Sequence, residues 1–316
     1  MSNQISLQVR VVHIDQVSPQ IKHFIFEAVN GTDLPHFSGG SHVVVVMRDG
    51  SHTYKNPYSL MGDGYRSRQY QIGVRREESS RGGSHFMHDK VALGDVLELL
   101  PPANLFPLDR FARKHLLIAG GIGITPFRSM LHDLRRSGAE HELHYCARST
   151  AHAAFWSSIA SEAGTRTLLH AGERRLDIAA LLAGQRAGTH VYVCGPHSMV
   201  ESVKAAAAAL GWSPAHVHYE EFTHAGGGAP FQVALARSGQ VIQVAHNQTM
   251  LEALEEAGLE PASMCRGGVC GACATVLLDG QVEHRDHVLT EPQKAAMGSM
   301  MICVSRAACN RIVIDL

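Results

Sequence analysis

The chain has 316 residues, with 28 Lys and Arg against 29 Asp and Glu and a formal net charge of −1 at pH 7, so it offers no broadly basic surface for nucleic acid. Apolar residues make up 45% and charged residues 18%, which allows packed cores and excludes a disordered chain; the length suits two or three domains. The stretch 1–11 is polar and lacks the apolar core of a signal peptide, and there is no run of ~18 apolar residues to span a membrane. A cytoplasmic protein, not membrane-bound, is expected. Seven cysteines in such a compartment are not a disulfide framework, which turns attention to a bound cofactor. The 21 histidines are scattered, with no H-E-x-x-H, and read as surface or core fillers.

Residues 7–14 and 23–26 alternate apolar with polar, as half-buried strands do. Residues 42–47 form a dense valine run, and 70–74 and 95–99 are further short strand candidates. Turn residues separate them, which predicts a small antiparallel barrel. The character changes near Lys114. Residues 115–119 read as a buried strand leading into a Gly-rich turn, and 127–136 as a helix with Met130, Leu131 and Leu134 on one face. Strand 142–147, helices 155–163 and 178–183, strand 191–194 and the Ala-rich helix 198–210 follow. Strands alternating with helices predict a parallel α/β sheet. Gly226, Gly227 and Gly228 read as a flexible linker. Beyond them, 231–236 and 241–244 suggest a hairpin, and Thr249 with Glu252 forms a capping box for a helix starting at Met250. The predicted division is 1–108, 109–225 and 229–316: a multidomain chain of antiparallel β-barrel, parallel α/β sheet and a smaller α+β domain.

The strongest signal is the cysteine spacing. Cys265-x4-Cys270-x2-Cys273 is followed by Cys303 after a gap of 29 residues, the plant-type [2Fe–2S] ligand spacing. Soft thiolates suit both iron oxidation states, and a tight loop can present three sulfurs while a separate segment supplies the fourth. Gly267, Gly268 and Gly271 permit unusual backbone angles and let N–H groups approach sulfur. A zinc site usually uses paired C-x2-C knuckles, and here Cys270 and Cys273 alone have that spacing. Cys146 and Cys309 lie outside the pattern. Residues from about 229 to the end resemble a plant-type ferredoxin domain, with its Cys-Arg-Gly-Gly-Val-Cys-Gly-Ala-Cys loop nearly in full.

Two Gly-containing turns follow predicted strands and precede helices. The first is Gly120-Gly121-Ile122-Gly123-Ile124-Thr125-Pro126, the second Cys194-Gly195-Pro196. Glycines allow a dinucleotide close to the backbone, and the helix N-terminus favours phosphate. The first turn is not G-x-G-x-x-G, so alone it could be an ordinary tight turn. Together the two turns resemble the ferredoxin–NADP reductase superfamily, in which both bracket a nicotinamide nucleotide. The resemblance implies that Cys194 lies near the nicotinamide; without it, Cys194 reads as a small buried hydrophobe.

The same resemblance places a flavin in the barrel. Asn56-Pro57-Tyr58-Ser59 matches the superfamily's Arg-x-Tyr-Ser. Tyr58 would pack on the isoalloxazine and Ser59 would bond its N5 edge. Asn56 replaces the arginine that contacts flavin phosphate in the family, so Lys55, Arg75 or Arg76 would take over that contact. Arg81-Gly82-Gly83-Ser84 is similar to the family's phosphate-binding turn, where backbone N–H groups and the Ser84 hydroxyl would hold the anion. Val74 and Arg75 complete the implied flavin contacts.

The domain order, Asn104-Leu105-Phe106-Pro107-Leu108 at the end of the barrel, and Tyr219-Glu220-Glu221-Phe222 before the linker resemble the phthalate dioxygenase reductase group over essentially the whole chain. The resemblance implies a flavin-binding barrel, a nucleotide-binding domain and a C-terminal ferredoxin. It implies FMN, NADH and a [2Fe–2S] cluster as cofactors, Phe222 covering the flavin, and Ser59, Thr125, Cys194 and Phe222 around the reacting atoms. Arg148 is the one cation near the end of the second nucleotide-domain strand, where a 2′-phosphate would want several; it can equally stack on adenine. A nicotinamide gives two electrons as hydride and the cluster takes one at a time, so the flavin stands between them and no acid–base dyad is needed. A monomeric reductase serving a separate Rieske-type oxygenase, a ring dioxygenase or O-demethylase, is expected. Arg266 is expected to be exposed for that contact. The alternatives are a reductase for another acceptor, a redox sensor, which the nucleotide and flavin motifs disfavour, and a self-contained flavin monooxygenase, for which no segment is left to build a substrate pocket.

Overall fold

The computed structural model describes residues 6–50, 52–66, 68–78, 80–162, 166–173, 175–222 and 227–316. The chain divides into two compact units, residues 1–47 with 54–222, and residues 223–316 with 48–53.

The first unit opens with an antiparallel sheet of β1 (Leu7–Ser18), β2 (Ile21–Ala28), β3 (Ser41–Asp49), β4 (His52–Met61), β5 (Gln69–Arg75), β6 (Val96–Leu99) and β7 (Ala103–Asn104), with helix α1 (Gly83–Asp89) between β5 and β6. The order is β4-β5-β2-β1-β6-β3-β7, and β4 also pairs with β3, which closes the barrel. Alternation drives this closure. Val9, Val11, Phe24, Phe26, Val43, Val45, Leu60 and Ile72 are each at most 1% exposed and fill the interior, where a large apolar side chain contributes about 1.5–3 kcal/mol. Strand β1 runs beyond its predicted end because the register shifts at Val11/His13 and Gln16/Ser18; each shift breaks the period-2 pattern that reveals a strand.

The second part of this unit is a parallel sheet, in the order β10-β9-β8-β11-β12. Its elements are β8 (Lys114–Gly120), α2 (Thr125–Ser137), β9 (His141–Ala147), α3 (Trp156–Ser161), β10 (Arg166–Ala171), α4 (Ile178–Ala183), β11 (Thr189–Cys194), α5 (His197–Ala209) and β12 (Val217–Glu220). Leu117, Ala119, Leu143 and Tyr145 pack with Phe127, Met130 and Leu131 of α2, while Leu116, Ile118, Val191 and Val193 pack with Val200 and Val203 of α5. Pro126 stands in the first turn of α2, and Gly138 ends the helix with φ 68°, as expected of each. Residue 163, the predicted end of α3, lies outside the described residues. The edge strands β10 and β12 were not predicted; they are short and no residue of either is fully buried, so they lack the apolar run that marks the central strands.

Barrel and parallel sheet meet closely. The Gly39 N–H donates to Asp133 Oδ2 at 2.7 Å and the Gly40 N–H to Ser129 Oγ at 3.1 Å. A Cβ on Gly39 would lie 2.7 Å from Met130 Cα, so α2 rests directly on backbone.

The second unit contains β13 (Phe231–Leu235), β14 (Val241–Val244), α6 (Met250–Glu256), β15 (Ala274–Asp279), β16 (Val282–Glu283), α7 (Glu291–Ala295), β17 (Ser299–Met301), β18 (Arg306–Ala307) and β19 (Arg311–Ile314). Its main sheet is ordered β14-β13-β19-β15-β17, and β16 pairs with β18. The predicted hairpin forms, with Val233 opposite Ile242. The predicted capping box also forms: the Glu252 N–H donates to Thr249 Oγ1 at 3.1 Å and the Thr249 N–H to Glu252 Oε2 at 2.9 Å.

The linker expectation needs correction. Gly226 lies outside the described residues, but Gly227 and Gly228 are tied to the C-terminal unit. The Gly228 N–H donates to His246 O at 2.9 Å, and the Arg285 guanidinium donates to Gly227 O at 3.3 Å. A Cβ on Gly228 would lie 2.7 Å from Arg306 Nε. Glycine serves close packing there, a use that composition cannot distinguish from flexibility.

Candidate functional site

Cys265, Cys270, Cys273 and Cys303 gather in the C-terminal unit. Cys273 Sγ and Cys303 Sγ are 3.1 Å apart, and Cys265 lies close enough to Cys303 and Cys270 for their thiols to shift its own. The loop needs left-handed backbone at Arg266 (φ 52°), Gly268 (φ 73°) and Gly271 (φ 76°). A Cβ on Gly268 would sit 2.6 Å from Val304 Cγ2, so this turn excludes other residues. Backbone N–H groups point at sulfur: Gly267 to Cys265 at 3.4 Å and Ala272 to Cys270 at 3.5 Å. The Cys265 thiol falls to about 4, first through its bond with Cys303 and then through the Gly267 and Val269 N–H groups, against burial. Cys273 is lowered as well, first through Cys303, whereas burial raises Cys270 and the bonds to Cys265 and Cys273 raise Cys303; close thiols hold one another's protons, and a cluster takes all four as thiolates. Cys265, Cys273 and Cys303 are buried and Cys270 is half-buried, and four thiols at this spacing are the donor set that a [2Fe–2S] cluster takes. Cys309 Sγ instead donates to Arg311 O at 3.0 Å, and Cys146 lies on β9 of the other unit.

The exposure expected of Arg266 is not found. Its side chain is 8% exposed and makes two bonds to the Glu255 carboxylate on α6, at 2.9 and 2.6 Å. A residue inside the cysteine loop reads as solvent-facing from sequence. Its positive φ turns it onto α6.

In the barrel, the structure brings the two flavin motifs together. Asn56, Tyr58 and Ser59 lie on β4, and Gly82, Gly83 and Ser84 start α1. A Cβ on Gly82 would meet the Tyr54 ring at 2.4 Å, and one on Gly83 would meet Asn56 Nδ2 at 2.4 Å. Gly82 has φ 128°, which L side chains rarely adopt. Tyr58 is pushed up to about 12 by burial, with Asn56 Nδ2 donating to its hydroxyl at 3.4 Å. Ser59 is buried, and Ser84 Oγ accepts the Glu77 N–H at 3.2 Å. Val74 is fully buried on β5, and Arg75 beside it lies 3.6 Å from Glu77. This side-chain-free turn backed by polar groups fits a flavin phosphate. Tyr54 joins this cluster although its motif did not point to it; alternation along β4 puts it on the face of Asn56 and Tyr58.

The two nucleotide turns also touch. A Cβ on Gly123 would lie 2.2 Å from Cys194 O, and one on Gly120 would lie 2.7 Å from Pro196 Cδ. Gly195 packs against Gly120 Cα at 3.1 Å on the same measure. Gly121, at φ 56°, faces open space, and its carbonyl accepts the Tyr145 hydroxyl at 3.1 Å. The C-terminal edge of the parallel sheet thus offers bare backbone at the start of a 13-residue helix, a shape and polarity that fit a dinucleotide. Buried Thr125 donates to Ile122 O at 3.0 Å. A Cβ on Gly73 of β5 would lie 2.9 Å from Thr125 Cγ2, so barrel strand and nucleotide turn adjoin. Arg148 is exposed just beyond the end of β9, and Phe222 is 41% exposed.

Cys194 is fully buried, and burial followed by the charges of Glu220 and Glu221 pushes its thiol well up, so it is neutral. Glu220 lies across the sheet from it in register. Burial pushes the Glu220 carboxyl up to about 8, and its Oε2 is enclosed without a hydrogen-bond partner among the described residues. Only the strand pairing brings this carboxyl, 26 positions away in sequence, beside Cys194.

Fold and sites define an electron-transfer reductase with nucleotide, flavin and iron–sulfur elements in one chain. Residues 233–308 match the 2Fe-2S iron-sulfur cluster binding domain, and residues 100–217 match the N-terminal domain of dimethylamine monooxygenase subunit DmmA-like proteins. The chain is 48% identical over 313 residues to the heme-dependent oxidative N-demethylase beta subunit of Ectopseudomonas mendocina (strain ymp), covering 98% of this chain and 99% of that one. It is 42% identical over 321 residues to the carnitine monooxygenase reductase subunit of Escherichia coli (strain K12), covering 100% of both. It superposes on phthalate dioxygenase reductase, a modular protein for electron transfer from pyridine nucleotides to [2Fe–2S], with a TM-score of 0.84 at 32% identity over 98% of each chain. The chain belongs to this family of oxygenase reductase subunits. It is an oxidoreductase that uses a nicotinamide nucleotide, a flavin and a [2Fe–2S] cluster, and it works with an oxygenase component. Among the described residues, no helix is long and apolar enough to cross a membrane.

Proposed function

We propose that this chain is the NADH-oxidising, FMN-containing reductase of a multicomponent enzyme whose oxygenase removes N-methyl groups. The end-to-end similarity to an oxidative N-demethylase subunit carries the substrate part of this reading. When bound, the three groups split a two-electron hydride into single electrons. The chain's part is to bind and orient. Gly82, Gly83 and Ser84 hold the flavin phosphate, with Asn56, Val74 and Arg75 around it. Tyr58 packs on the flavin ring and Ser59 bonds its edge. Gly120, Gly121, Gly123 and Thr125 hold the nucleotide phosphates against α2. Cys194, Gly195 and Pro196 keep a neutral, water-free wall beside the nicotinamide, and Phe222 covers the flavin from the end of the first unit. Arg148, a lone cation, gives no cluster for a 2′-phosphate, which favours NADH. Cys265, Cys270, Cys273 and Cys303 hold the cluster. On this reading the domains are 1–108, 109–225 and 229–316, and the protein works as a cytoplasmic monomer.

Mass analysis of released flavin tests FMN. Equal kcat/KM for NADH and NADPH would end the NADH reading. Formaldehyde release from an N-methylated amine, in a mixture of the reductase, NADH and its oxygenase component, tests the substrate class. A second reading, a Rieske-type partner acting on an aromatic ring or O-methyl group, is supported by the similarity to phthalate dioxygenase reductase. The iron cofactor of the oxygenase component, haem or Rieske cluster, separates the two.

A further inference from the structure

Behind the cysteine loop lies a buried carboxylate that binds no ligand in the scheme above. Asp286 sits between β16 and α7, with its side chain 0% exposed. Its Oδ2 accepts the N–H of Val288 at 3.2 Å and of Leu289 at 2.8 Å, and its Oδ1 accepts the Ser305 hydroxyl at 3.3 Å. An ionised carboxylate can only accept, so three donors favour the charged form. Burial alone raises its pKa, yet the Leu289 and Val288 N–H groups, with His284 and Lys294 nearby, hold it below the usual carboxylate range.

Both ligand-bearing segments meet at this residue. On one side, the neighbouring His287 N–H donates to Gly268 O at 3.0 Å, and a Cβ on Gly268 would lie 3.3 Å from Asp286 Cα. Asp286 therefore backs the loop of Cys265, Cys270 and Cys273. On the other side, Ser305 stands two residues after Cys303, is wholly buried, and accepts the Arg285 N–H at 3.2 Å. The Ser305 N–H donates to Met301 O at 2.9 Å, which fixes the turn that carries Cys303.

We propose that Asp286 is a positioning residue for the cluster: through Ser305 it ties the Cys303 segment to the three-cysteine loop, and its fixed negative charge beside the loop lowers the cluster's reduction potential. Net charge and hydrogen bonding near a cluster set its potential. A buried anion opposes arrival of an electron more strongly than it would in water. Groups just outside the ligands are commonly worth about 10–100-fold in metal affinity or activity.

The test uses the full-length holoprotein and reads iron content and the midpoint of an EPR-monitored redox titration. Asp286→Asn keeps the shape and removes the charge. It is expected to retain its iron and to raise the reduced-to-oxidised ratio at fixed poise about tenfold, equivalent to about 59 mV for one electron. Asp286→Ala also cuts the tie and is expected to lose iron to a chelator about tenfold faster than the wild type. Ser305→Ala removes one donor and keeps the charge, so its potential should not rise. NADH reduction of the flavin should stay at the wild-type rate in all three, which shows the first unit intact, and unchanged far-UV circular dichroism and protease resistance of the C-terminal unit separate these effects from its misfolding. An unchanged potential in Asp286→Asn, or an equal rise in Ser305→Ala, overturns the charge assignment; so does loss of iron from Asp286→Asn, which would leave only the tie. Wild-type iron retention in Asp286→Ala overturns the tie. The proposal rests on the cluster ligands, which the wild-type EPR signal and its loss in Cys270→Ser test separately.

Discussion

The cysteine loop and the glycine turns build their proposed cofactor sites in opposite ways. In the C-terminal unit, four side chains of one chemical type supply the site, and the backbone bends to deliver them. In the first unit, the sites at Gly82–Ser84 and Gly120–Gly123 are made by leaving side chains out. A Cβ at Gly82, Gly83, Gly120 or Gly123 would meet another atom within 2.7 Å. A site made of donor atoms fails when a donor is lost. A site made of space fails when an atom is added. Substitutions in the two regions should therefore have different signatures.

The largest effect is expected from Cys270→Ser. The [2Fe–2S] EPR signal of the reduced protein should vanish, while nucleotide reduction of the flavin continues. A normal signal would remove Cys270 from the ligand set. Next comes Gly123→Ala, whose added carbon would lie 2.2 Å from Cys194 O. Backbone cannot yield as a side-chain end can. Displacing reacting groups by about 1 Å can cost about 10²-fold, so flavin reduction by NADH in stopped flow should slow by about that much. Gly121→Ala is the sharpening control. Its carbon would meet no protein atom but would enter the space proposed for the nucleotide, on a positive φ that costs about 1–2 kcal/mol, so it should raise the KM for NADH while flavin reduction at saturating NADH slows far less. Equal losses in the two variants would mean that the contact with Cys194 is not what matters.

Gly82→Ala should act on flavin retention. Its carbon would meet Tyr54 at 2.4 Å, on a backbone at φ 128°. The flavin-to-protein ratio of the purified variant should fall severalfold while its iron content is unchanged. Loss of both in parallel would point to misfolding of the whole chain.

The smallest effect concerns acid. In the parallel sheet, His190 Nδ1 and His218 Nε2 are 3.0 Å apart, with Asp109, His115 and His216 around them. Burial, then the charge of His190, pushes His218 down to about 4, and burial lowers His115 and His190 as well. These folded values lie below the unfolded ones, so the unfolded chain binds more protons as pH falls. Stability is then fully present above about pH 6.5 and is lost as pH drops toward the folded values. The unfolding temperature of the first unit should fall by about 2–4 °C between pH 7 and pH 5. His218→Asn should flatten that slope; an unchanged slope in the variant would clear His218.

How much of this was legible in sequence follows the same division. Cys265, Cys270, Cys273 and Cys303 could be read directly, because sulfur is rare and its spacing in the chain is nearly its spacing in the loop. The strands at 42–47 and 115–119, the helix at 127–136 and the capping box at Thr249 were legible because periodicity and local bonding act within a few residues. The glycine turns gave a weaker signal, since a bare turn can serve packing, flexibility or binding alike; Gly227 and Gly228 read as linker and proved to be packed.

The sequence by itself determined the presence of a 2Fe-2S domain, the cysteine spacing proposed to hold its cluster, and the alternation of strands and helices, since all of these rest on residue type and near neighbours. Tertiary structure alone decided that Gly123 abuts Cys194, that Glu220 lies beside Cys194, that Arg266 turns inward to Glu255, and that Asp286 joins the two cysteine segments. Each of those depends on pairing between distant strands or on a left-handed turn. Such contacts arise when a whole core closes, and no short window of residues encodes them.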